Sequence, residues 1–263
     1  MFNLIRADVF KLRKSAALKW ILLVACLSTA VMATLAYLIP QGQLDDRLSG
    51  VGFLFSDINI ISILGAITAS ILICGDYDNK TLHHAVAAGA SRRAIIGGKM
   101  AVYSCAILLT LLPYAVIVST LLAFGGEFGM GSASIGFLHL LTSGNELTGA
   151  GLGKLLAVSL TLALVYIAQL SICLPLALLL KRPVFVVALY NAFNAMTGQL
   201  LAFSSADSGF GRIFARTPYG GKYIFSTLET APGDLLEGIA VSLIYTAAMA
   251  GVAWLIFRKA EIK

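Results

Sequence analysis

Long apolar stretches constrain this chain more than any other feature. A helix needs about 20 consecutive apolar residues to cross the roughly 30 Å of bilayer hydrocarbon. Because backbone groups left unpaired in lipid are so costly, only helices and closed barrels span membranes, and the short alternating segments of a barrel are absent. The sequence therefore predicts an all-α integral membrane protein with six transmembrane helices, at about 20–39, 53–74, 100–124, 155–180, 184–203 and 239–257.

The composition agrees with this fold class. The chain of 263 residues is 59% hydrophobic and 12% charged, with a mean hydropathy of +0.89. A soluble domain carries about 25% charged residues, so a cytosolic enzyme, a disordered chain and a secreted disulfide scaffold are excluded. The four cysteines lie in or at the ends of the predicted spans and are interpreted as packing residues.

The distribution of Lys and Arg predicts the topology. Most of the 19 basic residues fall in the N-terminal segment, the second and fourth connections and the tail 258–263. By the positive-inside rule, both termini are cytoplasmic. These charges then face anionic lipid head groups, and no nucleic-acid partner is expected. A cleaved signal peptide is the alternative for the first stretch, but this stretch is too long for a typical signal core.

Two segments outside the spans have patterns of their own. In residues 1–19, apolar side chains recur every three or four positions, which predicts an amphipathic elbow helix lying in the cytoplasmic interface. Such a helix either anchors the topology or also touches a soluble partner. In the outer loop 204–234, aromatic residues alternate with basic ones, a pattern typical of short interfacial or re-entrant helices.

The cytoplasmic loop 76–93 is the most informative segment. Asp78 or Asn79 can cap a short helix, and Leu82, Ala85 and Val86 give that helix one apolar stripe. Gly89 can end the helix, after which Ser91 can cap the next one. A short helix with one apolar face outside the membrane suits insertion into a groove on a partner. The alternative is a solvated loop that carries topology charges.

The order of residues in this loop resembles that of a known family. An acidic residue, Asn79-Lys80-Thr81, a short helix, Gly89-Ala90-Ser91-Arg92 and then Lys99 are similar to the loop of permease subunits of type-two ABC exporters, especially the bacitracin- and lantibiotic-resistance branch. The six-span layout, the N-terminal amphipathic helix and Thr217-Pro218-Tyr219 in the last outer loop extend the resemblance over the whole chain. The family often has Pro where this chain has Gly89 or Ala90.

The resemblance implies a permease subunit that moves an amphipathic substrate, such as an antimicrobial peptide, a drug or a lipid-like molecule, out of a bacterial cell or its plasma membrane. The implied partners are two ABC ATPase subunits, a second copy or a sister permease, and membrane lipids. ATP and Mg²⁺ belong to the ATPase, and this chain binds no cofactor directly. The residues implied to couple to the ATPase are Asp78, Thr81, Leu82, Val86, Arg92 and Arg93. Leu82 and Val86 would enter a groove on the ATPase, and the arginines would contact the ATPase or lipid head groups.

The missing motifs agree with this hypothesis. Gly98-Lys99 and Gly221-Lys222 lack the remaining residues of a phosphate-binding loop, so the chain is not expected to hydrolyse ATP. An intramembrane enzyme using Ser132 and His139 is a competing hypothesis, but no third orienting group is placed. A non-transporting scaffold or sensor subunit is another. The adjacent His83 and His84 point about 100° apart on a helix, so no metal site is predicted there.

Polar residues inside the spans are candidates for a substrate path. Tyr190, Asn194 and Thr197 share one face of the fifth predicted span, and Gln169 lies in the fourth. Hydrogen bonding between helices is the alternative explanation for this stripe. Asp57 is the only acid within a predicted span, and its place near the outer edge predicts that it reaches water.

Overall fold

The computed structural model describes residues 2–130, 134–144, 151–203 and 209–259. In this part of the chain the regular structure is entirely helical, without a strand. Its thirteen α-helices are α1 (Phe2–Lys14), α2 (Ala16–Leu38), α3 (Ser49–Leu54), α4 (Asp57–Asp78), α5 (Thr81–Ala87), α6 (Arg92–Phe124), α7 (Gly136–Thr142), α8 (Gly151–Ser171), α9 (Cys173–Leu180), α10 (Pro183–Phe203), α11 (Gly209–Ala215), α12 (Gly221–Ile224) and α13 (Pro232–Lys259).

Several of these helices are long and apolar enough to cross a membrane. Five segments of the described chain meet this criterion, with mean hydropathies of 2.0 to 2.3: Ala16–Leu38, Asp46–Asp78, Arg92–Phe124, Gly151–Leu180 and Pro232–Lys259. The predicted all-α integral membrane fold is therefore confirmed. Helix α10 coincides with the fifth predicted span, and the count of six transmembrane helices stays a prediction.

Helix α1 and the end of α13 lie at the same end of the bundle. Lys99, near the start of α6, binds Asp8 on α1, and Arg92 donates to the carbonyl oxygens of Phe257 and Arg258 at the end of α13. We call this end, which also carries α5, the basic end. An even number of crossings is needed to bring both termini to one side, which favours six. The basic end is the side predicted to be cytoplasmic.

The helices at the basic end begin and end at recognisable signals. Ser91 caps α6, since its hydroxyl accepts from the backbone N–H of Ala94 at 3.2 Å. The expectation that Asp78 or Asn79 caps α5 is wrong. Asp78 is the last residue of α4, and Lys80 takes the N-cap position of α5 in a left-handed conformation, with φ of 53°. The reversal at Lys80 turns the chain so sharply that α5 follows α4 after two residues.

Helices α4, α6 and α8 meet in the core around one small residue. Gly65 of α4 lies against Leu170 of α8, and the hydroxyl of Tyr103 on α6 donates to the carbonyl oxygens of both, at 3.1 and 3.2 Å. Tyr103 and Leu170 are both buried. Small residues allow membrane helices to approach this closely, and a shared hydrogen bond fixes their relative positions.

Gly65→Ala should therefore lower the stability of the bundle. A Cβ at this position would lie 2.6 Å from both terminal methyl groups of Leu170, and overpacking of this kind costs about 1–3 kcal/mol. Gly75→Ala on the same helix is the matched control, because a Cβ there meets nothing within 4 Å. We expect thermal unfolding in detergent to show a lower midpoint for Gly65→Ala and no loss for Gly75→Ala. Equal midpoints would contradict this packing.

Candidate functional site

Four charged side chains form a compact cluster at the basic end. Asp76 of α4 and Lys99 of α6 are 4% and 5% exposed. The ammonium group of Lys99 donates to one oxygen of Asp76 and, at 2.7 Å, to Asp8 on α1. The other oxygen of Asp76 accepts from Lys11, also on α1. We call Asp8, Lys11, Asp76 and Lys99 the charge cluster.

The charge cluster is electrically balanced, with two carboxylates facing two ammonium groups. Removing charges from water is costly unless they are paired with good geometry, and breaking a buried pair leaves an uncompensated charge. The pairing therefore fastens α1 to α4 and α6. Helix α5 is attached to the same place, because the hydroxyl of Thr81 donates to the backbone carbonyl of Asp76 at 3.3 Å.

The apolar stripe of α5 faces the protein itself. Leu82 is 4% exposed, and Ala85 and Val86 are partly buried against the core. The burial of Leu82 does not fit its predicted insertion into a groove on the ATPase, since its side chain anchors α5 to the membrane domain. Val86 keeps part of its surface exposed, and its predicted insertion stays a prediction. The side chains left exposed on α5 belong to Thr81, His84 and Ala87.

The two arginines of the predicted coupling loop also have partners within the chain. Arg92 holds the last carbonyl groups of α13 and lies 5.5 Å from the ring centre of Phe257. Arg93 is exposed and stacks over Trp254 at 4.8 Å. Basic groups at a helix C-terminus are favoured by the helix dipole. The structure thus gives Arg92 a fastening role, while Asp78 stays exposed at the end of α4.

A second feature is a cavity at the end of the bundle opposite the basic end. It has a volume of about 580 Å³. Three of the predicted path residues, Gln169, Asn194 and Thr197, line it together. Tyr190 shares their helix face but is fully buried outside the lining, so the predicted path is only partly brought together. The described residues that line the cavity are Phe53, Ile58, Asn59, Ile135, Gln169, Asn194, Ala195, Thr197, Gly198, Gln199, Tyr219, Ile224 and Phe225.

The last outer loop closes one side of this cavity. The side-chain amide of Gln169 donates to the carbonyl of Pro218 at 2.8 Å, and the hydroxyl of Tyr219 donates to the backbone carbonyl of Gln169 at 2.6 Å. The described part of the loop contains the short helices α11 and α12, in the segment where short helices were predicted. Thr217-Pro218-Tyr219 is therefore the point at which the loop is fastened to α8.

Asp57 directly precedes two residues that line the cavity, Ile58 and Asn59. It is fully buried, which corrects the expectation that it reaches water. Its carboxylate accepts from the backbone N–H groups of Phe137 and Leu138, at 2.8 and 3.4 Å, and from the hydroxyl of Tyr166 at 2.5 Å. Asp57 thus holds the first turn of α7, which its place in the sequence did not reveal. Gly136 allows this approach, since a Cβ there would lie 2.2 Å from the carboxylate.

The competing chemical sites gain no support from the geometry. Ser132 lies outside the described residues, and Nδ1 of His139 forms a hydrogen bond with the hydroxyl of Ser134 at 3.0 Å. Burial lowers the pKa of His139. Among the described residues, no group of three His, Cys, Asp or Glu side chains is placed to hold a metal ion.

Sequence reasoning missed the charge cluster. Asp76 begins the loop 76–93 and Lys99 ends the motif that resembles the family, while Asp8 and Lys11 fall in the predicted interfacial helix; the sequence predicts no pairing among them. One signal is present: Lys99 follows the uncharged stretch 94–98 of a long membrane helix, where an unpaired charge is costly. That cost indicates a partner, although the sequence does not identify which acid supplies it.

The comparisons with known proteins give one match. The family model described as ABC-2 family transporter protein matches residues 4–199. No curated protein and no solved structure matches the chain. The matched residues include the charge cluster, α5, Asp57 and the part of the cavity formed by α4, α8 and α10.

Replacement of the buried lysine should test the charge cluster. Lys99→Met leaves Asp8 and Asp76 without their shared partner, and breaking a buried pair costs about 3–5 kcal/mol. The matched control is Lys222→Met, which removes an exposed ammonium group between Asp234 and Glu237 and should change little. We expect a large fall in the unfolding midpoint for Lys99→Met only, with partial recovery when Asp76→Asn is added. If Lys99→Met and Lys222→Met lower the unfolding midpoint equally, the charge cluster does not fasten the helices as described.

Asp57→Ala should release the first turn of α7. The backbone N–H groups of Phe137 and Leu138 would lose their acceptor, and a buried polar group left unpaired costs about 1–3 kcal/mol. We expect faster hydrogen exchange of these two amides while the long helices stay protected. Asp45→Ala is the control, because Asp45 accepts from Arg47 in an exposed turn. Unchanged exchange at Phe137 and Leu138 would show that Asp57 does not hold α7.

Proposed function

The chain belongs to the ABC-2 family of transporter proteins, and from this premise we propose that it is an exporter permease driven through α5. The family consists of multi-pass permease components of ABC transporters, which lack the ATPase domain and work with an ABC ATPase subunit. We further propose two ATPase subunits for each permease dimer, formed with a second copy or a sister permease in a bacterial plasma membrane. The substrate we propose is amphipathic.

The observation that carries the proposal is the attachment of α5 to the charge cluster. Helix α5 presents Thr81, His84 and Ala87 outward while its apolar stripe faces the bundle. A soluble partner at the basic end therefore meets a helix that is fixed to α4 through Asp76. Closure of an ATPase pair would push on the exposed face of α5. The buried ion pairs would then transmit this displacement to α1, α4 and α6 together.

The opposite end of the bundle supplies the place at which such a movement acts. Helix α4 begins at Asp57, which holds α7, and it carries Asp76 two residues before its end. At 1.5 Å per residue, a helix of this length spans about 33 Å. Displacement of α4 at the basic end would therefore shift one wall of the cavity. This arrangement supports the transfer of a substrate through the cavity.

Substitution on the exposed face of α5 tests this proposal. Ala87→Glu keeps a strong helix former but places a charge where the ATPase is proposed to dock. We expect the amount of ATPase subunit that co-purifies to fall about tenfold or more, because an unpaired charge at an interface costs a few kcal/mol. The matched control is Ala16→Glu, at an exposed alanine in the first turn of α2.

The unfolding midpoint of the permease alone should not change in either variant. Leu82→Asp should behave differently and destabilise the permease itself, because its side chain is buried. Full ATPase retention by Ala87→Glu, with ATP hydrolysis still coupled, would overturn the proposed docking on α5.

A further inference from the structure

The cavity opposite the basic end is lined by uncharged side chains in the part of the chain that the structure describes. Aromatic and aliphatic side chains, among them Phe53, Ile58 and Phe225, alternate with carboxamides. Its volume of about 580 Å³ lies within the range of about 300–1,000 Å³ that is typical of small-molecule sites. Mixed apolar and neutral polar walls of this kind suit a ligand that has both an apolar and a polar part.

The carboxamides have hydrogen-bonding capacity to spare. The side-chain amide of Asn194 lines the cavity and has no hydrogen-bond partner within the described parts of the chain. The amide nitrogen of Asn59 donates to the carbonyl of Phe53 at 2.8 Å, which leaves its oxygen as an acceptor. Inside a protein, polar groups of this kind are met by water or by a ligand. The cavity therefore offers both donors and acceptors to an occupant.

The described part of the lining supplies no counter-charge to an ion. No Asp, Glu, Lys or Arg is found among the described residues of the lining. Asp57 is the buried acid near the cavity, and its carboxylate is already occupied by two backbone N–H groups and Tyr166. A charged ligand would lose its hydration without gaining a counter-charge, which costs several kcal/mol.

We infer that this cavity binds an uncharged amphipathic molecule whose amide or hydroxyl groups hydrogen-bond to Asn194, and that it discriminates against cations and anions of the same size. That the bound molecule is also the transported one rests on the proposed function; the binding itself does not. Asn194 is then a specificity-determining residue, and neutral amphipaths are the substrate class of the proposed transporter.

Helix α10 offers a control for the role of Asn194. Asn191 lies one turn earlier on the same helix, but its side-chain amide donates to the backbone carbonyl of Val187 at 2.8 Å, and it does not line the cavity. The two asparagines have the same chemistry and neighbouring positions. They differ in access to the cavity, so their alanine variants separate ligand binding from general effects on α10.

Equilibrium binding to the full-length chain in nanodiscs, without an ATPase subunit, tests the inference. Three radiolabelled probes share a ten-carbon chain: neutral N-decanoylglycinamide, decyltrimethylammonium and decyl sulfate. Binding to empty nanodiscs is subtracted. We expect the neutral probe to bind at least about tenfold tighter than either ion, a difference of about 1.4 kcal/mol. Asn194→Ala should weaken the neutral probe about fivefold, the value of one net hydrogen bond, and Asn191→Ala should not.

Three results would overturn the inference: binding of an ion as tight as that of the neutral probe, equal affinities in Asn194→Ala and the original chain, or no binding above empty nanodiscs. Since the ATPase is absent, these outcomes are separate from the co-purification test. If the chain binds the neutral probe but does not associate with an ATPase, the binding site is supported and the transport role is contradicted. If it associates with an ATPase but does not bind the neutral probe, the transport role is supported and the binding site is contradicted.

Discussion

The packing of the helices at the basic end depends on the ion pairs that the ammonium group of Lys99 forms with the carboxylates of Asp8 and Asp76. In a chain with so few charges, a buried ion pair is costly to form and still more costly to break. Its presence makes α1 part of the folded bundle, since movement of α1 away from α6 would leave a carboxylate and an ammonium group unpaired. The same pairing fixes the part of α4 from which α5 begins.

The two ends of the bundle differ in how their buried charged groups are compensated. At the basic end, charges are retained and paired with one another. At the other end, the buried carboxylate of Asp57 accepts hydrogen bonds from two backbone N–H groups and a tyrosine, and the described part of the cavity lining is uncharged. Helix α4 connects these environments, with Asp57 at its start and Asp76 near its end. A single rigid helix thus links the place where force is proposed to enter with the place where a ligand is proposed to bind.

The sequence predicted the parts of this fold that depend on local chemistry. Hydropathy located the long helices because a span of this length has no other stable conformation in lipid, and Ser91 caps α6 as its residue type indicated. Periodicity also identified the apolar stripe of α5 at Leu82 and Val86. It could not tell which surface covers that stripe, and the covering surface proved to be the bundle itself. The proposed docking surface therefore consists of exposed positions such as Ala87.

Contacts between residues far apart in the chain could not be predicted from the sequence. The chain between Asp76 and Lys99 contains all of α5 and the first two turns of α6. The sequence pattern of these segments does not show how close the two side chains lie. The position of Asp57 near the end of a predicted span suggested that its carboxylate reaches water. This was wrong because α7 packs over Asp57 in the folded chain. Spacing likewise grouped Tyr190 with Asn194 and Thr197, but Tyr190 lies deeper and is enclosed by neighbouring helices.

The central claim is that the charge cluster makes α1 and α5 move as one body when the ATPase acts. The distance between these helices can be measured by pulsed electron paramagnetic resonance. The spin labels are attached at two exposed positions, Phe10→Cys on α1 and Ala88→Cys beside α5. The measurement uses the assembled complex with and without ATP, with the four native cysteines replaced and the labelled permease diluted with unlabelled permease so that distances within one copy are read. We expect one narrow distance distribution that is the same in both states. A broad distribution, or a distance that changes on ATP binding, would contradict it.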